Sequence, residues 1–261
     1  LHPRGGMRGV PVSARWIALL NKIESEAHLT SARQTARLLI SERADEVLLG
    51  AVSSDDPVLE RWGRVDAIVL AAGGSTRMAA AGEIKQLLPW GSGTLLSHVV
   101  DGALGSEASS VIAVVGCQAR RVEDALGMRD VGVVENIDWL SGQITSVRAG
   151  LGELHPDTQA AIFLLIDQPG VGPEIIDALI YEYRRTGAPV VAPRVDGRRA
   201  NPVLFDRSTW PELMMIEGDI GGRALIDLYT DRVAWVDWSE DILSEINTPQ
   251  DYSTLRTELA S

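Results

Sequence analysis

Three short stretches carry groups that could do chemistry. The run Ala71-Ala72-Gly73-Gly74-Ser75-Thr76-Arg77 comes straight after the apolar segment "DAIVLA". Small residues let a ligand lie against the backbone, and glycines admit the dihedrals of a tight loop. Successive N–H groups in such a loop can face an anion. Arg77 adds one positive charge, and Lys85 adds another from the far end of the loop. The spacing is neither GxGxxG nor the P-loop pattern, so neither a dinucleotide fold nor a P-loop NTPase is supported. An ordinary glycine-rich turn is the plainer alternative. In "LLIDQPGV", Asp167 ends another apolar run. Burying a carboxylate there is costly unless it is paired or holds a metal, and capping of the next turn is the plainer role. In "SEINTPQDY", Glu245 and Asn247 are oxygen donors that suit Mg²⁺. They stand just before a helix, so capping is again the alternative.

The elements that must position these groups can be read from residue 65 onward. Apolar runs "DAIVLA", "SSVIAVVG", "VGVVEN", "AAIFLLI" and "APVVAP" alternate with "TLLSHVVDGAL", "ARRVEDAL", "QITSVRAGLGEL" and "PEIIDALIYEYRR", which read as helices. The strands lack polar alternation, so helices cover both faces of a mainly parallel sheet, and the class is α/β. In such sheets ligands bind beyond the carboxyl ends of the strands, where the loop and Asp167 fall. "VDGRRANPVLF" carries an Asp-Gly turn and predicts a hairpin. "GGRALIDLY" reads as a short helix, "VAWVDW" as a strand, and "TPQDYSTLRTEL" as a closing helix with Thr248 as N-cap.

Composition narrows the function. The chain has 261 residues, a formal net charge of −12 and 45% hydrophobic residues. The acidity argues against a nucleic-acid partner. No apolar stretch is long enough to cross a membrane, and no signal peptide follows the early arginines, so a cytoplasmic protein is expected. Cys117 has no partner for a disulfide and reads as a small apolar residue at a strand end. The four histidines are not spaced as zinc ligands. Residue 1 is leucine, which implies either a literal reading of the start codon or the tail of something longer.

Residues 1–63 are of another kind. "SARWIALLNKI" and "SARQTARLLISER" read as helical or mixed, "ADEVLLGAV" as a strand and "SSDDPVLERWGR" as a linker. About 60 residues can bury only a thin core. The expected division is an N-terminal extension over 1–63 and a larger domain over 64–261.

Taken in order, "LAAGGSTRM…K…LLPW", "N…W…G…S", "DQP", "NPVLF", "EGDIGGR" and "INTPQDY" resemble the molybdenum cofactor cytidylyltransferase family, MobA-like nucleotidyltransferases with a Rossmann-like sheet. The resemblance covers residues 65 to about 255. It implies transfer of CMP from CTP to the phosphate of molybdopterin, with Mg²⁺ as cofactor and release of pyrophosphate. Leu70, Ala71, Ala72, Gly73, Gly74 and Ser75 would line the nucleotide, with Asn136, Gly142 and Ser146 beside it. Ala71-Ala72 goes with cytidine in that family. Arg77, Lys85 and Asp167 would be catalytic, and Asp167 and Asn247 would hold the metal. Asn201, Pro202, Gly218, Asp219 and Arg223 would meet the acceptor. Two departures stand out: Ala79 replaces the usual glycine before a longer loop, and "EINTP" replaces "DIDTP". Removing Asp167 is expected to end metal-dependent turnover while relieving a buried charge, with stability level or higher. Residues 1–63 are more weakly similar to the C-terminal part of a selenium-dependent hydroxylase accessory protein, with Asn21-Lys22-Ile23-Glu24 resembling NKxD but no Walker A motif anywhere. They read as the remnant of an accessory domain or as a helical packing extension. The rivals are a nucleotidyltransferase with another acceptor and a non-catalytic carrier that hands cofactor to a molybdenum hydroxylase.

Overall fold

The computed structural model describes residues 17–20, 23, 25–41, 44–50, 58–75, 78, 83–216, 226–227 and 229–259. The chain divides into two compact units, Leu1–Gly63 and Arg64–Ser261. In the first, β1 (Ile17–Leu20) pairs parallel with β2 (Glu46–Gly50), and β2 pairs antiparallel with the opening residues of β3 (Val58–Leu70). Helix α1 (Glu26–Ser41) contributes Ala36 to a core with Ile23, Val47, Leu49 and Trp62. Two sequence expectations are corrected here. Ile17–Leu20 is a strand, where "SARWIALLNKI" reads as helical or mixed, and the end of the supposed linker is the start of β3. Glu60 lies buried in that strand because Arg33 Nε and Trp62 Nε1 donate to its carboxylate, at 2.9 and 2.8 Å. Asn21, Lys22 and Glu24 fall outside the described residues.

The second unit is a doubly covered sheet, with a separate hairpin of β4 (Pro89–Trp90) and β5 (Gly93–Thr94) and a short helix α3 (Ala119–Asp124). Residues 64–70 of β3 pair parallel with β6 (Val111–Val115) and β8 (Thr158–Leu165), and β6 with β7 (Gly132–Glu135). On the other side β11 (Val203–Asp206) runs antiparallel between β8 and β9 (Val190–Val195), and β12 (Val233–Asp237) pairs parallel with β9. A mainly parallel α/β sandwich of Rossmann-like type is therefore what forms. Alternation along β3 shows both faces at work: Val65, Ala67 and Val69 enter one core, and Ile68 the other. Helices α2 (Leu95–Leu104) and α5 (Pro173–Thr186) cover the first face, and α4 (Gln143–Gly152) and α6 (Trp210–Met215) the second.

Local signals fix several ends. The hydroxyls of Thr94 and Ser97 each accept from the other's backbone N–H in a reciprocal cap on α2. Pro173 opens α5 and Gly187, at φ 60°, closes it. The hairpin read from "VDGRR" forms between β9 and β10 (Arg198–Arg199), with Asp196 at φ 49° and Gly197 at φ 76°, as a two-residue turn between right-twisted strands requires. The closing helix α7 (Pro249–Leu259) starts at Thr248, whose Oγ1 accepts from the Asp251 N–H at 3.2 Å. Most of "GGRALIDLY" lies outside the described residues.

Among the described residues, the first unit's buried core draws on residues 23–62 and the second unit's cores draw on residues 65–246. A chain beginning at Arg64 is therefore expected to fold. Its melting temperature should stay within about 4 °C of the full chain, equivalent to roughly 1 kcal/mol. Thermal unfolding of both chains checks this, and an unfolded short chain would refute it.

Candidate active site

A cleft of about 440 Å³ opens beyond the carboxyl ends of β3 and β8. One wall is the loop after β3. Its carbonyl groups are tied from behind: Gln86 Nε2 donates to the carbonyls of Ala71 and Gly73, both at 2.7 Å. Ser75, at φ 51°, donates through Oγ to Gln86 Oε1 at 3.3 Å and accepts there from the Lys85 N–H at 3.2 Å. With the carbonyls engaged, the N–H groups of Gly73 and Gly74 have no acceptor among the described residues. They remain available to an anion in the cleft. Gly74 has a second reason to be glycine. A Cβ there would come within 2.8 Å of the Trp139 ring, which also lines the cleft.

Lys85 starts a 3-10 turn, Lys85–Leu87, and its side chain is only 10% exposed. Its Nζ lies 3.0 Å from Asp167 Oδ2 and 3.4 Å from Asn247 Oδ1. Three residues spread over 162 positions of sequence thus meet at one point of the cleft. Backbone holds two of them in place, since the Ile246 N–H donates to the Asp167 carbonyl at 2.8 Å. The other carboxylate oxygen, Asp167 Oδ1, is buried without a hydrogen-bond partner among the described residues. An orphaned anionic oxygen beside a neutral amide oxygen suits a hard divalent cation. Among the described residues no group of three or more His, Cys, Asp and Glu could enclose a metal. Two protein oxygens fit Mg²⁺, which is usually held by one or two protein ligands together with substrate phosphates and water.

Glu245, the other oxygen donor of this stretch, is engaged by amides. Its Oε1 accepts from Gln168 Nε2 at 3.1 Å and its Oε2 from Asn247 Nδ2 at 2.9 Å. Both oxygens face amides. Next to it, the Asp251 carboxyl is held below the usual carboxylate range. The Asn247 N–H contributes most, then the Thr248 hydroxyl and N–H, with Lys85 adding a smaller effect. That carboxylate caps α7 and fixes the turn carrying Asn247.

The far side of the cleft is built by the end of β7 and the start of α4. Asn136 is buried and does not itself line the cleft. Its Nδ2 donates to Thr145 Oγ1 and Ser146 Oγ at 2.8 and 2.9 Å, and its Oδ1 accepts from the Asp138 N–H at 3.0 Å. Ser146 and Gly142, at φ 109°, do reach the cleft. Leu70, Ala72, Gly73, Gly74 and Ser75 line it as well, while Ala71 is fully buried beneath. Asn201 and Pro202, joined by a cis peptide bond, lie between β10 and β11 and do not line this cleft. Arg77, Gly218, Asp219 and Arg223 fall outside the described residues. The sequence reading missed Gln86. The only signal is a glutamine standing between Lys85 and the apolar Leu87-Leu88.

Comparison with known proteins agrees with this architecture. Residues 67–233 match the model of the MobA-like NTP transferase domain. The chain is 27% identical over 188 residues to the nicotine blue oxidoreductase of Paenarthrobacter nicotinovorans, a match covering 69% of this chain and 90% of that one. It is 26% identical over 193 residues to the molybdenum cofactor cytidylyltransferase of Escherichia coli K12, covering 74% and 95%. Among solved structures, Rv0371c of Mycobacterium tuberculosis H37Rv superposes with a TM-score of 0.65 at 26% identity, covering 74% of this chain and 98% of that one. Its complex with manganese is also similar, at a TM-score of 0.62. With a family match over most of its length and a sheet of the same kind, the chain belongs to the MobA-like NTP transferase domain family.

Proposed function

We propose that this protein transfers CMP from CTP to the phosphate of a molybdopterin-type acceptor, releasing pyrophosphate, and that it works in the cytoplasm. The observation that carries the reading is that two features line one cleft. One is a glycine loop whose Gly73 and Gly74 N–H groups have no acceptor among the described residues; the other is a lysine–aspartate pair 3.0 Å apart whose second carboxylate oxygen has no partner among them. The relative named molybdenum cofactor cytidylyltransferase supports the choice of acceptor, and Ala71-Ala72 supports cytidine.

In this reading a phosphate oxygen of the acceptor attacks the α-phosphorus of CTP. The bond to the bridging oxygen of pyrophosphate breaks, and pyrophosphate leaves with its electron pair. A phosphate monoester is already anionic, so positioning and charge neutralisation do most of the work. Asp167, through Oδ1, and Asn247, through Oδ1, would hold Mg²⁺. The cation would supply charge neutralisation at the phosphates. Lys85 and Arg77 would bind the leaving pyrophosphate together with the N–H groups of Gly73 and Gly74. Ser146, oriented by Asn136, and Gly142 would meet the nucleotide from the opposite wall. Asn201, Pro202, Gly218, Asp219 and Arg223 would receive the acceptor. Residues 64–261 would form the transferase domain, residues 1–63 would be the remnant of an accessory domain, and a molybdenum hydroxylase would be the downstream partner. Among the described residues no helix is long and apolar enough to cross a membrane.

Pyrophosphate release from CTP, GTP and ATP, with and without molybdopterin, tests the reading. CTP is expected to be preferred over GTP by about 1–3 kcal/mol, the range that small changes of pocket shape produce. Equal or better use of GTP would overturn the nucleotide assignment. Tight binding of the cofactor without pyrophosphate release would favour a carrier. The relative named as an oxidoreductase motivates a further arm: acceptor-dependent oxidation of NADH with no pyrophosphate release would replace the transferase reading.

A further inference from the structure

The carboxamide of Asn247 has two ends of opposite character, and only the oxygen can bind a cation. Its orientation must therefore be set by its neighbours. On one side Lys85 Nζ lies 3.4 Å from Oδ1. An ammonium group only donates, so this contact requires oxygen there. On the other side Glu245 Oε2 lies 2.9 Å from Nδ2. A carboxylate only accepts, so this contact requires the NH₂ group there. A flipped amide would oppose both neighbours at once. The second oxygen of Glu245 accepts from Gln168 Nε2 at 3.1 Å, and Gln168 directly follows Asp167. One carboxylate thus holds amides on both segments that carry the oxygens of the cation position.

The two constraints on Asn247 are not equivalent. Lys85 also pairs with Asp167, and a polyphosphate entering the cleft competes for its ammonium group. Glu245 bonds the opposite end of the amide and keeps its contact whatever Lys85 does. We propose that Glu245 is a positioning residue that locks the Asn247 carboxamide with its oxygen toward the cation. The proposal rests on the reading of Asp167 and Asn247 as cation ligands, and adds to it the group that makes a neutral amide serve there. It has a specific consequence. An aspartate at 247 has no wrong end, and Glu245 would then face it as a like charge. The contribution of Glu245 to cation binding therefore depends on the residue at 247.

The test measures Mn²⁺ held by the full chain with CTP and no acceptor, followed by water-proton relaxation, so that no turnover is needed. Wild type, Glu245→Ala, Asn247→Asp, the double variant and Asp167→Ala are compared, with melting temperatures recorded for each. In the wild-type background Glu245→Ala is expected to weaken Mn²⁺ binding about tenfold, as losses of groups that orient metal ligands do. In the Asn247→Asp background the same change should leave binding equal or tighter, a non-additive pair. Equal weakening in both backgrounds would mark a simple loss of charge and overturn the proposal. Binding that Asp167→Ala abolishes but Glu245→Ala leaves unchanged would overturn the proposal alone. Binding that is absent in wild type, or indifferent to Asp167→Ala, would overturn the ligand assignment and the proposal with it.

Discussion

Asp167→Ala is expected to lower metal-dependent pyrophosphate release by about 10²–10³-fold, or roughly 2.7–4 kcal/mol of transition-state stabilisation. It should also destabilise the fold. The first effect follows from Asp167 Oδ1, the buried carboxylate oxygen that no described residue satisfies. The second reverses what the sequence suggests. Read alone, Asp167 is a charge at a buried strand end, and removing it should relieve strain. In the structure its other oxygen pairs with Lys85, whose side chain is 10% exposed against 25% for Asp167. Taking away the carboxylate leaves a mostly buried ammonium whose one remaining side-chain hydrogen-bond acceptor among the described residues is the amide oxygen of Asn247. Breaking a fully buried pair costs about 3–5 kcal/mol, and partial exposure brings the expected loss here to about 1–3 kcal/mol. Asp167→Asn separates the two effects. It keeps an oxygen for Lys85 and removes the anionic ligand, so turnover should fall while the melting temperature stays near wild type. Thermal unfolding and initial rates across a Mg²⁺ titration read both. Unchanged turnover in Asp167→Ala would remove the residue from the site, and unchanged stability would mean the pair with Lys85 contributes nothing to the fold.

What could be read from the sequence, and what could not, divides along the range of the interactions. The strands around the site are apolar runs of the right length, and burial on both faces of a parallel sheet leaves no other place for them. Asp167 was visible because it breaks such a run. The Asp196-Gly197 turn and the Thr248 cap are set by neighbours a few residues apart. Residues 58–64 were misread because their strand contains Glu60, whose burial needs Arg33, 27 residues away, as well as the nearby Trp62. Gln86 and Glu245 were missed as positioning groups for the same reason. Gln86 reaches carbonyls 13 and 15 residues back, and Glu245 reaches Gln168 77 residues back. No periodicity marks such a partner. The pairing of Lys85 with Asp167 spans 82 residues, and only the folded chain shows that the carboxylate is half of an ion pair rather than a lone charge.

Gly170→Ala is expected to cost about 3 kcal/mol, a fall of roughly 6–12 °C in melting temperature for a domain of this size, and to reduce turnover as well. Gly170 follows Asp167 by three residues, and its Cα faces the turn at Glu240–Leu243. A Cβ there would overlap the carbonyl oxygen of Asp241 and lie 2.9 Å from its carbonyl carbon. Backbone cannot move aside as a flexible side chain can, so one of the two segments must shift. Neither is free to do so cheaply. Ile242 and Ile246 are fully buried on one segment, and Val171 is buried on the other. The displacement would also act directly on the site. The Ile246 N–H bond to the Asp167 carbonyl, 2.8 Å long, is what holds Asn247 against Lys85 and Asp167. Moving the segments apart should weaken the cation position before it unfolds the domain, so the Mg²⁺ concentration for half-maximal rate should rise. Gly152→Ala is the matched control. Its Cβ would meet nothing within 4 Å, and it sits at the end of α4, where alanine is favoured over glycine by up to about 1 kcal/mol. If Gly170→Ala behaved like Gly152→Ala in both thermal unfolding and Mg²⁺ dependence, the two segments would not be in contact, and the placement of Asn247 beside Asp167 would be wrong.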